Sequence, residues 1–340
     1  MKLNSAELDF LREAVQRPSV EILPLAGDAS SRRYYRIVGS EQSWVLMKWE
    51  PFVDDGHYPF LSVLRHFKKH GVGVPEVKGM DAKLGLVLLE DLGDLTLERK
   101  FWETQDQTVI FPFYKMAIDE LIKIHYRSTA DHDTTCTAFH IEFNTERLMW
   151  EMNYGREHLI EKLCGIGLTD AEQKELQRIF QEICQTLDEE PKLICHRDYH
   201  SRNLMVKLGK MRVIDFQDAR LGPLQYDLVS LLKDSYVSLT TELSQQLLDY
   251  YLEERRKYVP GVLDREAFMK IYGLQTLQRC FKACGSFASF YNLRQDTRYL
   301  KYLAPTLQRV QQTLADFPEY SAFYEILQRR ELTQCDFEGL

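Results

Sequence analysis

The chain has no C-x-x-C pair, no block of lysine or arginine, no internal repeat and no low-complexity tract. It also lacks an apolar run approaching the roughly 18 residues of a bilayer span. Its seven cysteines are scattered and odd in number, which argues against a disulfide frame or a zinc cluster. With 43 basic against 51 acidic residues and a net charge of −8, there is no electrostatic footprint for nucleic acid or an anionic membrane. Met1 to Gln16 has no apolar core of signal-peptide length. Asn4 followed by Glu7 reads instead as the cap of an amphipathic helix carrying Leu8, Leu11 and Val15. These absences predict a reduced, cytoplasmic setting with no nucleic-acid partner and no membrane partner.

What is present is ordinary globular material, 44% hydrophobic and 28% charged over 340 residues. Strand-like runs fill the first 90 or so positions: Val20–Leu25, Arg33–Val38, Ser43–Trp49, Pro75–Met80 and Leu84–Glu90. Gly39 to Gln42 joins the second and third as a hairpin. Pro59–His70 places Phe60, Leu61, Leu64 and Phe67 on one helical stripe and Gly71 ends it. The order is β-β-β-α-β-β. After Gly93 helical periodicity dominates, at Asp106–Arg127, Asn144–Cys164, Asp170–Leu187, Pro223–Tyr236, Thr241–Lys257, Arg265–Tyr291 and Ala304–Phe317. The pattern predicts an α+β chain with a small antiparallel sheet lobe over 1–92 and a larger, mainly α lobe over 93–340.

The chemistry lies in His196-Arg197-Asp198-Tyr199-His200-Ser201-Arg202-Asn203, followed by Val213-Ile214-Asp215-Phe216-Gln217. An H-R-D-x-x-x-x-N run followed by D-F at the end of an apolar strand is the arrangement of a kinase catalytic apparatus. A divalent metal carrying phosphate wants hard, fixed oxygen ligands. Asn203 and Asp215 are the candidates. An acceptor hydroxyl needs a carboxylate within hydrogen-bond reach, the role assigned to Asp198. His196 is read as structural, and Asp227 as a tie to the backbone of this loop or a helix cap.

In the first lobe, Ala29, Ser30, Ser31 and Arg32 lie between two strands, where small residues and hydroxyls let backbone approach nucleotide phosphates. Lys48, ending an apolar strand, is read as reaching the α- and β-phosphates. The stripe helix 59–70 holds no acidic residue to partner it, leaving Glu50, Asp54 or Asp55 as substitutes. Glu90 and Leu92, where Leu86–Leu89 runs into a polar hinge, are read as the adenine-binding backbone.

These residues together resemble the aminoglycoside phosphotransferase and choline kinase branch of the protein-kinase-like fold. Within it the resemblance is to bacterial anomeric amino-sugar kinases, through Leu89-Glu90-Asp91-Leu92-Gly93-Asp94, the Asp198 to Asn203 run, Phe216-Gln217-Asp218-Ala219 and Gly222-Pro223 leading to Tyr226-Asp227. It extends over about residues 8 to 330. One departure is Lys48, where such relatives carry aspartate. The resemblance implies ATP and Mg²⁺ as cofactors and an amino sugar, N-acetylmuramate or N-acetylglucosamine, phosphorylated on its C1 hydroxyl in cell-wall sugar recycling. It implies Arg202, Gln217, Asp218 and Arg279 as substrate-side residues. For the lactyl carboxylate of muramate it implies a cation among Arg279, Lys282 and Arg202, and Trp150 to Tyr154 as a wall for the sugar. The residues also leave open a kinase for another small alcohol, or a nucleotide-binding regulatory protein without catalysis.

Overall fold

The computed structural model describes residues 3–17, 19–25, 32–104 and 106–339. α1 (Ser5–Val15) opens with the expected capping box: the Asn4 side chain accepts from Glu7 N, and Glu7 accepts from Asn4 N, each at 3.0 Å. Then come β1 (Glu21–Pro24), β2 (Arg33–Val38), β3 (Ser43–Lys48), α2 (Pro59–Lys69), β4 (Val77–Asp81) and β5 (Leu86–Glu90). The five strands form one antiparallel sheet in the order β1-β2-β3-β5-β4.

Because side chains alternate along a strand, this sheet has two packed faces. Ile37, Trp44, Leu46, Leu86 and Leu88 meet Leu11 and Val15 of α1. Met47, Val87 and Leu89 join Phe60, Leu64 and Phe67 of α2 on the opposite face. Complete burial of a side chain such as Phe67 stabilises the fold by about 2 kcal/mol.

Beyond the sheet the chain is mainly helical. α3 (Leu97–Thr104), α4 (Gln107–Ile122), α5 (Thr145–Gly155) and α6 (Asp170–Asp188) precede four short strands, β6 (Lys192–Cys195), β7 (Leu204–Lys207), β8 (Lys210–Val213) and β9 (Arg220–Pro223). α7 (Gln225–Leu232), α8 (Thr241–Arg255), α9 (Arg265–Arg294), α10 (Leu303–Leu314), α11 (Ser321–Leu327) and α12 (Arg330–Thr333) complete it. The periodic segments expected to reach Arg127 and Cys164 leave α-helical geometry at Ile122 and Gly155 and continue as π turns over Lys123–Ser128 and Arg156–Leu163. α3 and β9 are too short to show a period in sequence.

Two pairings place the functional loop. β6 pairs antiparallel with β9, and β7 with β8, so residues 196–203 leave the end of one ribbon and Asp215 leaves the end of the other. α5 and α9 cross in backbone contact: a Cβ on Gly285 would stand 2.5 Å from the Gly155 Cα. No larger residue fits there. Among the described residues no helix is long and apolar enough to cross a membrane.

Candidate active site

The loop after β6 is held in an unfavourable backbone shape. Arg197 has φ 84° and Asp215 φ 64°, left-handed values that cost a residue with a Cβ unless its surroundings enforce them. At Arg197 the enforcement comes from Asp227 in α7, fully buried, whose carboxylate accepts from His196 N at 2.5 Å and Arg197 N at 3.0 Å. His196 is bonded through Nε2 to Ile214 O at 2.9 Å, tying the loop to the strand before Asp215. Tyr199, also fully buried, donates to Ala117 O of α4 at 2.6 Å. The scaffold roles read for His196 and Asp227 match these contacts.

Asp198, Asn203 and Asp215 converge. Asn203 Nδ2 donates to the Asp198 carbonyl at 2.9 Å and lies 3.5 Å from Asp215 Oδ2. Gln217 Nε2 donates to Asp215 Oδ1 at 2.8 Å, fixing that carboxylate from its other side. A carboxylate beside a carboxamide is the hard, all-oxygen donor set that a divalent metal on phosphate takes, so these residues fit one. Phe216, fully buried, packs its ring 5.2 Å from Phe60 and 6.1 Å from Phe67, so α2 backs the Asp215 segment directly.

Cations surround the Asp198 side chain. Arg279 of α9 donates through Nη2 to Asp198 Oδ1 at 3.3 Å and through Nε to Ser230 Oγ at 2.9 Å. Arg197 Nε stands 4.0 Å from Asp198 Oδ2, and its Nη1 donates to Asp218 at 2.9 Å. Burial raises the Asp198 pKa, but Lys282, Arg197, Arg279 and His200 together outweigh it, and the carboxyl is held far below the ordinary carboxylate range. A carboxylate in this setting stays ionised at any physiological pH. Beside it lies a cavity of ≈ 390 Å³ between the catalytic loop, the end of α7 and α9, with Arg279, Lys282 and His200 at its polar end and Tyr236, Phe287 and Phe290 on its apolar side.

Several expected residues stand elsewhere. Lys48 shares strand parity with Leu46, so it emerges on the α1 face of the sheet, and its ammonium is bonded to Glu7 Oε1 at 2.5 Å. This corrects its expected reach toward phosphate. It also replaces the proposed partners Glu50, Asp54 and Asp55; Asp54 is instead bonded to Arg65. Arg202 is held by Glu98 through two bonds of 3.0 Å and by Tyr302, lies over the Tyr236 ring, and is not among the residues lining the cavity. Trp150 is half exposed and stacked on Tyr154, whereas Glu151 of the same run is fully buried and accepts from Gln278 at 2.8 Å. Ala29, Ser30 and Ser31 lie outside the described residues. Arg32, next to them, sits over the Trp49 ring at 4.2 Å. Tyr34, on the sheet face opposite Lys48, has its pKa pushed up to about 12, by burial first, against Arg32 and with Asp215 and Tyr58 adding to the rise.

At the hinge, Glu90 N donates to Glu76 O at 2.8 Å, so that N–H is already used, while the Glu90 side chain accepts from Lys207 at 2.8 Å. Lys207 also binds the Asp91 carbonyl at 2.7 Å, and Asp91 in turn pairs with Arg36 of β2 at 2.7 Å. Leu92 is buried. Lys207 and Arg36 were invisible to sequence reading as hinge braces; the dense acidic run from Glu90 to Asp94 is the signal that cations must meet it.

The model of the phosphotransferase enzyme family matches residues 21–260, spanning both the sheet and the loops that carry Asp198 and Asp215. The chain belongs to this family. A curated relative from Neisseria meningitidis serogroup B, an N-acetylmuramate/N-acetylglucosamine kinase, is 30% identical over 305 residues, which cover 89% of this chain and 88% of the relative. Among solved structures, an aminoglycoside phosphotransferase with bound ADP superposes with a TM-score of 0.59 at 16% identity, covering 90% of this chain and 98% of that one. An amicoumacin kinase solved with AMP-PNP and Ca²⁺ also gives 0.59 at 16% identity, over 92% of this chain and 94% of that one. The fold is the protein-kinase-like one, and this phosphotransferase is an ATP-dependent kinase of a hydroxyl group.

Proposed function

We propose that this phosphotransferase transfers the γ-phosphoryl group of Mg-ATP to the C1 hydroxyl of N-acetylmuramate or N-acetylglucosamine, the step that salvages these sugars from cell wall. The observation that carries this reading is the likeness to the meningococcal kinase along nearly the whole of both chains. The cavity opening beside Asp198 supports it, being of a size that suits one sugar ring.

The nucleotide would lie at the junction of segments 1–92 and 93–340, its adenine edge meeting the Glu90 carbonyl and the Leu92 N–H, and its phosphates meeting Ala29, Ser30, Ser31 and Arg32. Mg²⁺, held by Asn203 and Asp215, supplies neutralisation of phosphate charge when bound. Gln217 fixes the Asp215 carboxylate for that task. Asp198 orients the sugar hydroxyl and takes its proton as the new bond to phosphorus forms. An anomeric hydroxyl is more acidic than an ordinary alcohol, but a carboxylate held this low is a weak base, so Asp198 takes the proton only late, as the bond to phosphorus acidifies the oxygen, and positioning dominates the rate. Arg279 and Arg197 hold Asp198 in place, and Asp218 holds Arg197. Incubation with Mg-ATP and each sugar, followed by ³¹P NMR, is expected to show an anomeric sugar 1-phosphate. Absence of turnover with both sugars would sink the proposal.

A further inference from the structure

Three cations converge on the Asp198 carboxylate from two elements, and two of them are already engaged. Arg197 is bonded to Asp218. Arg279 is bonded to Ser230 and to Asp198 itself. Lys282 stands three residues further along α9, an axial step of about 4.5 Å. It lines the same cavity and makes no hydrogen bond or ion pair with any described residue.

We infer that Lys282 receives the carboxylate of an anionic acceptor, so that the enzyme selects an N-acetylmuramate type of sugar over the neutral N-acetylglucosamine type. The inference rests on the amino-sugar reading above. The electrostatics agree. Burial, with Arg279 and Arg197 acting the same way, pushes the lysine down to about 8, while Asp198 and Glu151 only partly oppose this. Asp198 faces this ammonium without bonding it, and burial still outweighs the attraction, so a second anion in the cavity would relieve the remaining cost. Arg202, the other cation expected to serve, is spent on Glu98 and Tyr302.

The test is steady-state kinetics of wild type, Lys282→Met and Lys282→Arg with N-acetylmuramate, its methyl ester and N-acetylglucosamine. In Lys282→Met the ratio of kcat/KM for muramate to that for glucosamine is expected to fall about 100-fold, as for truncation of a buried charge partner. Lys282→Arg should retain most of the ratio. The ester, which needs no variant, should lose a comparable factor with wild-type enzyme. An unchanged ratio in Lys282→Met, or an ester used as well as the acid, overturns the assignment. Wild-type turnover of glucosamine alone overturns it and leaves the amino-sugar reading standing, whereas no turnover of either sugar removes both.

Discussion

The ammonium of Lys48 is held by the carboxylate of Glu7 at 2.5 Å, across the sheet face that α1 covers. Glu7 is buried, so the pair joins the first helix to the third strand and takes no part at the nucleotide. Lys48→Met should therefore shift the KM for ATP by less than about threefold, whereas a phosphate-clamping lysine would cost far more. Glu7→Gln, which leaves the lysine without its charge partner, should lower stability by about 2 kcal/mol, read from urea unfolding. A collapse of ATP affinity in Lys48→Met would return the lysine to the phosphates.

Asp198→Asn keeps the shape of the loop but removes the proton acceptor. Turnover of the sugar is expected to fall about 1000-fold while ADP affinity, measured by calorimetry, stays near wild type. Turnover at the wild-type rate would remove Asp198 from its assigned role.

Gln217 meets the proposed metal ligand Asp215 through one hydrogen bond, Nε2 to Oδ1. Gln217→Leu should raise the Mg²⁺ concentration needed for half-maximal rate by about tenfold, and saturating metal should recover most of kcat. A fall in kcat that excess Mg²⁺ does not restore would mean that the side chain acts on the acceptor instead.

The pH dependence follows from Lys282 and the groups that face it: Arg279 on its own helix, Arg197 and Asp198 on the loop, and Glu151 on α5. A cation whose pKa is lowered to about 8 is charged below that pH and neutral above it. The preference of kcat/KM for the acidic sugar over the neutral one is thus expected to be full at pH 6 to 7 and to fade through about pH 8. Because Asp198 is held ionised far below that range, no matching loss from this carboxylate is expected on the acid side. A preference that is flat from pH 6 to 9 would exclude Lys282 as its source.

Local chemistry was readable from the sequence, and long-range pairing was not. The loop from His196 to Asn203 and the Asp215 strand end are close in the chain, so residue type and spacing carried their meaning directly. The β-β-β-α-β-β order and the Asn4–Glu7 cap were readable for the same reason. Lys48 misled because its strand position was clear but its face was not: a period of two fixes which residues share a face, and only packing of α1 says which face that is. The partner of Lys48 lay 41 residues upstream. Lys282 and Glu151 belong to different helices, and their approach to one another depends on a crossing that no local pattern reveals.

That crossing has a consequence for the placing of these two charges. Gly155 and Gly285 let the α5 and α9 backbones touch, and Glu151 sits one turn before the first glycine while Lys282 sits one turn before the second. A methyl group added at Gly285 would meet the Gly155 backbone and must shift one helix against the other, moving Glu151 relative to Lys282 without replacing a single residue of the cavity. The glycine pair thus sets the spacing of α5 and α9 at a crossing that lies outside the lining of the cavity.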